Sequence, residues 1–158
     1  MTSLINDTAA IAFLKELSAE ERQELLSLGT TLPLAIDDTV IRQGQEQPAL
    51  YLVLEGSLRV RCHSPYSVVE IGLLGAGDCF GEMNLLDPLK ASATITGIEA
   101  GTLWKLERDA FQQFVENHPR AGVKLLTYFG IQLTKRMRRM EDQLLRCSER
   151  PTGFDYDY

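Results

Sequence analysis

The sequence predicts a mainly β fold flanked by helices, and three observations lead to this fold class. The stretch from Thr31 to Leu106 consists of short β-rich runs separated by glycines, which is typical of an antiparallel sandwich or barrel. Both flanks of this stretch carry apolar residues at helical spacing. The chain has 158 residues, 44% of them hydrophobic, which suits one domain with a buried core.

Two short helices are expected between residues 7 and 28. Asp7 is a suitable N-cap for the first helix. Ser18 caps the second, and Glu21 three residues later completes a capping box. Gly29 then ends the second helix, because glycine is the commonest residue just after a helix C-terminus.

Six β runs are predicted in the central region, whose expected extent is residues 30–107. Their one-letter sequences are LPLAI, TVIRQG, ALYLVLEGSLRVRC, SVVEIGLL, SATITGI and GTLWKL. The glycines between the runs supply the turns that an antiparallel arrangement needs.

The C-terminal region, residues 109–147, predicts two further helices. The first covers Asp109 to Asn117, and Pro119 opens the second, which runs over residues 120–147, or roughly 42 Å at 1.5 Å per residue. Apolar or small residues recur along it in alternating steps of four and three, as in a two-stranded coiled coil. This seam consists of Leu126, Gly130, Leu133, Met137, Met140, Leu144 and Cys147. We expect a homodimer through the seam; the alternative is that the same stripe packs on the chain's own β region.

Charge and composition exclude several function classes. The net charge of −6 argues against nucleic acid as the main partner, and the chain has no apolar run long enough for a membrane span. The three cysteines are scattered, which favours a reduced, cytoplasmic protein. The two histidines, His63 in a predicted loop and His118 before a proline, do not form a metal site or a catalytic pair. The expectation is therefore a protein that is not an enzyme and has no metal and no resident cofactor.

The segment from Gly75 to Thr96, GAGDCFGEMNLLDPLKASATIT, carries the most specific pattern of the chain. A glycine-rich turn leads into Phe80-Gly81-Glu82, which a short apolar stretch and a small-residue strand follow. This segment resembles the phosphate-binding cassette of the cyclic-nucleotide-binding domain family, the sensor module of catabolite-activator-type regulators. The resemblance covers the chain from about Ile11 to Leu145.

The resemblance implies a double-stranded β-helix, or jelly roll (the β-roll), with a long C-terminal dimerisation helix. In that fold Gly44 and Gly56 mark turns, while Leu50, Leu52 and Leu54 alternate inward. The implied domain covers residues 1–147, and residues 148–158 are expected to be a disordered tail. The family's DNA-binding module would follow the long helix, so this chain is not expected to bind DNA in the family's way.

The resemblance also implies a ligand site. Its candidate residues are Gly81, Glu82, Met83, Lys90, Ala91 and Ser92. In the family, the carboxylate at the Glu82 position accepts a hydrogen bond from the ribose 2′-hydroxyl. An arginine at the Ala91 position pairs with the cyclic phosphate, and this chain lacks it. Lys90 either compensates for that loss or is a solvated surface lysine, which its neighbouring position on an extended segment favours.

The function expected from these observations is that of a stand-alone regulatory domain. It acts through contact with an unknown protein partner, and its binding of cyclic AMP is lost or weakened. The alternative is a working nucleotide sensor, either of cyclic AMP or cyclic GMP through Lys90 or of cyclic di-GMP at another surface, that signals to a partner protein.

Overall fold

The structure, a computed structural model, describes residues 11–148, without the side chains of residues 143, 144, 146, 147 and 148. The N-cap expected at Asp7 and most of the tail expected at residues 148–158 lie outside the described residues. Within them, a 3₁₀ turn at Ala12–Leu14 precedes the regular elements. These are, in chain order, α1 (Ala19–Leu28), β1 (Thr30–Leu34), β2 (Thr39–Ile41), β3 (Ala49–His63), β4 (Val68–Leu74), β5 (Cys79–Phe80), α2 (Glu82–Leu86), β6 (Thr94–Glu107), α3 (Arg108–Asn117) and α4 (Pro119–Ser148).

The strands form an antiparallel jelly roll, as expected. The main order is β1-β6-β3-β4, with β2 paired to β6 and β5 paired to β3. The runs SATITGI and GTLWKL, expected as two strands, are the single 14-residue strand β6. This strand stays continuous because its register against β3 shifts near Glu55 and Ser57, which bends both long strands together. At the bend, a Cβ on Gly101 would overlap the Glu55 backbone, so only glycine fits there.

The core lies on both faces of β3. Leu50 and Leu52 face outward from the roll onto the helices, in a cluster with Trp104, whereas Tyr51 and Val53 lie in a second cluster inside the roll. The expectation that Leu50, Leu52 and Leu54 face inward is therefore wrong: these leucines pack against the helices, and Tyr51 and Val53 between them face inward. Since helices cover the outer face of its first part, residues 49–53 of β3 are buried on both sides, and the sequence there is continuously apolar instead of alternating.

The predicted capping box at the start of α1 is confirmed. Glu21 N donates to Ser18 Oγ at 3.1 Å, and Ser18 N donates to Glu21 Oε2 at 2.8 Å. The C-terminal end of α1 is tied to the roll, because Trp104 Nε1 donates to Leu26 O at 3.1 Å. The helix expected before α1 is only the short 3₁₀ turn within the described residues.

Helix α3 begins one residue before the expected Asp109, with Glu107 as its N-cap. Helix α4 begins at Pro119, as predicted, and has 30 residues. Its buried stripe consists of Ala121, Leu125 and Phe129, which pack in the cluster between the helices and the roll. No helix within residues 11–148 has the length and apolar character required to cross a membrane.

The stripe that packs on the roll is distinct from the predicted coiled-coil seam. Leu126 is 39% exposed, and Met137 and Met140 are each 62% exposed. Gly130 is also exposed and Leu133 is half-buried, whereas the side chains of Leu144 and Cys147 are not among those described. The alternative in which the seam packs on the chain's own roll is therefore not the arrangement observed for Leu126, Met137 and Met140.

Candidate ligand site

Gly81 sets the backbone of the candidate site. It joins β5 to α2 in the left-handed conformation, with φ of 85°. A Cβ at this position would overlap the Ala49 carbonyl oxygen and press on the Tyr51 ring. The glycine is therefore required by close packing against β3, whether or not a ligand is present.

Glu82, the first residue of α2, points into the protein and is 1% exposed. One of its oxygens, Oε1, accepts a hydrogen bond from Arg136 Nη1. The other, Oε2, is buried and has no hydrogen-bond partner among the described residues. A buried carboxylate oxygen without a donor is costly, so a hydrogen bond from a ligand hydroxyl to Oε2 would be favourable.

Arg136 reaches this carboxylate from helix α4, 54 residues further along the chain. Its guanidinium also donates from Nη2 to Cys79 O at 3.4 Å, and its side chain is 43% exposed. Burial raises the pKa of the Glu82 carboxyl, and the positive charge of Arg136 opposes that rise. The ion pair thus fixes the middle of α4 against the Gly81-Glu82 turn.

Arg136 belongs to a basic run from Lys135 to Arg139, a pattern that by itself is typical of a solvated helix face. Its contact with Glu82 instead turns this one side chain toward the roll. The spacing of residues along α4 is compatible with this inward position of Arg136. Leu125, Phe129 and Arg136 are spaced by four and seven residues, so they share the face of α4 that lies on the roll.

Ala91 occupies the position of the family arginine and is 4% exposed. Its backbone is held on the loop before β3, because Ala91 N donates to Gln45 O at 2.9 Å and Gly44 N donates to Ala91 O at 2.8 Å. The methyl group packs in the same cluster as Phe80, inside the roll. This inward position is thus apolar and carries no donor for an anion.

Lys90 and Ser92, on either side of Ala91, are both exposed. Lys90 forms an isolated β-bridge with Glu46, on the outer side of the loop. Met83, also proposed as a ligand contact, is 49% exposed at the first turn of α2. The structure therefore turns Glu82 and Ala91 inward, and leaves Lys90, Ser92 and Met83 at the surface.

These groups match only one part of a cyclic nucleotide, its sugar. The free oxygen of Glu82 suits a sugar hydroxyl, since a buried carboxylate is a strong acceptor. For the phosphate half, the described residues considered for this role offer no free inward cation: Ala91 is apolar, Lys90 is at the surface, and Arg136 is engaged by Glu82. The residues fit the hydroxyl part of such a ligand and not its phosphate.

The two histidines lie at the ends of secondary-structure elements. His63 is the last residue of β3, so its assignment to a loop was wrong. His118 ends α3, and its Nε2 lies 2.8 Å from Glu24 Oε2 on α1.

A glycine-initiated turn, a buried glutamate, an antiparallel jelly roll and a long C-terminal helix define a β-roll domain. The family model for the cyclic nucleotide-binding domain matches residues 32–118, more than half of the chain. The chain belongs to this family.

Relatives of known name carry the same domain in different proteins. The chain is 32% identical over 106 residues to the cyclic AMP receptor protein of Thermus thermophilus, covering 66% of this chain and 47% of that protein. It is 35% identical over 81 residues to lysophospholipase nte1 of Aspergillus fumigatus, covering 51% of this chain and 5% of that protein. The chain thus spans less than half the length of either relative.

Solved structures agree with the fold. A cyclic nucleotide-binding domain from Methylobacillus flagellatus superposes with a TM-score of 0.78 at 27% identity, covering 86% of this chain and 80% of that one. The catabolite activator protein of Thermus thermophilus gives a TM-score of 0.73 at 29% identity, covering 85% of this chain and 62% of that one.

Proposed function

We propose that this chain is a regulatory domain that acts through contacts with other proteins, and that its cassette no longer binds cyclic AMP as a working sensor does. The observation that carries the proposal is the Arg136–Glu82 ion pair beside an apolar Ala91. A cation from helix α4 lies on the carboxylate that would receive the sugar, and the cassette has no cation for the phosphate.

The size of the expected loss follows from the missing arginine. A charge-assisted hydrogen bond contributes ~1.5–3 kcal/mol. Leaving a buried charge without its partner costs ~3–5 kcal/mol. Because each 1.4 kcal/mol is about tenfold in affinity, binding of cyclic AMP should be at least ~10²-fold weaker than in a domain with the arginine.

The proposed output is made by helix α4. Its exposed apolar residues, Leu126, Met137 and Met140, follow the predicted coiled-coil seam and favour a homodimer. An unidentified protein partner then receives the regulatory information. The cytoplasm is the proposed location, since the described cysteines Cys62 and Cys79 are both free thiols.

A second candidate function is a working nucleotide sensor, and one observation favours it. Glu82 Oε2 is buried without a partner among the described residues, which is expected of an acceptor for a ligand hydroxyl. The name of the Thermus thermophilus relative, a cyclic AMP receptor protein, points the same way. In this case a nucleotide would have to draw Arg136 away from Glu82 or share it.

Restoring the arginine separates the two functions. We expect Ala91→Arg to raise the affinity for cyclic AMP by about 10–100-fold over the wild type in calorimetric titration, because it supplies one charge-assisted contact. Ser92→Arg is the matched control, since it adds the same side chain at the next, exposed position. The proposal fails if the wild type already binds cyclic AMP at micromolar concentration.

A further inference from the structure

A cavity of about 260 Å³ opens beside β1, at a place that none of the cassette residues lines. Its apolar wall includes Leu32 and Leu34 on β1, Val40 on β2 and Leu103 on β6. Leu34 and Leu103 are almost completely buried, at 3% and 2% exposed. At about 30 Å³ per water molecule, the cavity has room for a body of roughly eight heavy atoms.

The polar residues that line the cavity are Tyr51, Lys105, Gln47, Asp38 and Thr39. Leu103 and Lys105 are two residues apart on β6, so they face the same side, and Lys105 pairs in register with Tyr51. Lys105 Nζ lies 5.9 Å from the centre of the Tyr51 ring. Tyr51 Oη accepts a hydrogen bond from Gln47 Nε2 at 2.6 Å, which leaves its own proton free to be donated.

The Tyr51 hydroxyl and the Lys105 ammonium group both keep their protons at neutral pH. Burial raises the pKa of the Tyr51 hydroxyl. The hydrogen bond to Glu107 raises the pKa of Lys105, and burial opposes that rise. Glu107 Oε1 lies 2.6 Å from Lys105 Nζ, but the Glu107 side chain is 61% exposed. Such an exposed ion pair is weak and can be exchanged for a better-buried anion.

Asp38 is the carboxylate that lines the cavity, and it is used locally. Its Oδ2 accepts a hydrogen bond from Ala35 N at 2.8 Å in the turn between β1 and β2. The polar lining thus combines the donors of Lys105 and Tyr51 with a carboxylate that is already hydrogen-bonded, and the aliphatic residues supply the apolar part. Ligand pockets commonly combine an apolar wall with a few convergent polar groups in this way.

We propose that this cavity binds a small carboxylate with a short hydrocarbon tail. The carboxylate lies against Lys105 Nζ and the Tyr51 hydroxyl, and the tail lies against Leu32, Leu34 and Leu103. The site is independent of the function proposed above. It nevertheless shares Tyr51 with the packing behind the cassette, since the Tyr51 ring stacks on Phe80 with centroids 5.0 Å apart.

Hexanoate, which has eight heavy atoms, is the probe for this site, and hexylammonium is its charge-reversed match. Titration of the whole chain by heteronuclear NMR should give saturable shifts at β1 and at residues 103–105 with hexanoate. The expected dissociation constant is ~1 mM, which is ordinary for a ligand of this size. Hexylammonium should give no saturable shift, because its ammonium donors would face the donors of Lys105 and Tyr51.

Lys105→Gln should weaken hexanoate binding by about tenfold or more, since it removes the charge-assisted contact. Tyr51→Phe should weaken it less, while Lys15→Gln, an exposed lysine before α1, should leave it unchanged. Three results overturn the proposal: no saturable hexanoate binding, equal binding of hexylammonium, or unchanged affinity in a folded Lys105→Gln protein.

Discussion

At the scale of single residues, Glu82 carries the largest electrostatic cost in the site. It is a nearly fully buried carboxylate with Arg136 as its cation and one oxygen unpartnered among the described residues. Burial of such a group is tolerated only when a countercharge is supplied. The stability of the domain should therefore depend on Arg136, although this arginine lies outside the cassette.

We predict that Arg136→Gln lowers the free energy of unfolding by about 2 kcal/mol near pH 8. The loss is smaller than for a fully buried pair because the arginine side chain is 43% exposed. Chemical denaturation at fixed protein concentration measures it. Arg139→Gln, on the exposed face of the same helix, is the matched control and should cost little.

The loss should shrink when the pH is lowered below 4.5, the ordinary pKa of a glutamate, and its sign follows from the raised pKa of Glu82. The folded protein holds this proton at a pH where the unfolded chain has released it. The contribution of Glu82 to stability is therefore present at low pH and is lost as pH rises through the folded pKa. At low pH the Glu82 carboxyl is protonated and neutral, so the removal of Arg136 leaves no unpaired buried charge. A loss that is equal at both pH values, or absent at both, would contradict the assigned ion pair.

Cys79, two residues before Gly81, lies in the same buried environment as Glu82. Burial raises the pKa of its thiol to about 12, and the neighbouring charge of Glu82 adds to that rise. The thiol is thus protonated and unreactive at neutral pH, which suits a structural residue. Its backbone carbonyl, which accepts from Arg136, is the part that takes part in the site.

At the scale of elements, helix α4 has two apolar faces with different surroundings. One face, with Leu125 and Phe129, holds the helix on the roll, and the other exposes Leu126, Met137 and Met140. The heptad spacing predicted the seam but left open whether the seam packs on the chain's own roll, because an apolar pattern does not say what covers it. It did not show that Arg136 turns inward, since local periodicity does not say which buried group waits opposite a helix.

We predict that Met140→Glu converts a dimer into a monomer in sedimentation analysis, because it places a charge in the apolar seam. Met137→Glu should act in the same way. Lys135→Glu is a stringent control, since it makes a larger change of charge at an exposed position off the seam. If the solution mass of Met140→Glu equals that of the wild type, α4 does not form the dimer contact.

At the scale of the whole molecule, the sequence predicted the roll well and the site only in part. Glycine punctuation and the Gly81-Glu82 pattern defined the fold, and the capping box of α1 was found to the residue. The continuity of β6 was missed, because a bulge opposite Glu55 is a property of paired strands and not of one run. The Arg136–Glu82 contact was missed for the same kind of reason: it joins residues that only the packing of α4 brings together.

The central claim is that the cassette, as this chain carries it, does not bind a cyclic nucleotide as a working sensor does. Calorimetric titration of the wild-type chain with cyclic AMP, cyclic GMP and cyclic di-GMP tests it most directly. We predict no saturable heat at micromolar concentration for any of the three, since Ala91 supplies no cation and Arg136 is held by Glu82. Saturable micromolar binding of one of them would contradict the claim and make this domain a nucleotide sensor in which Arg136 yields Glu82 to the ligand.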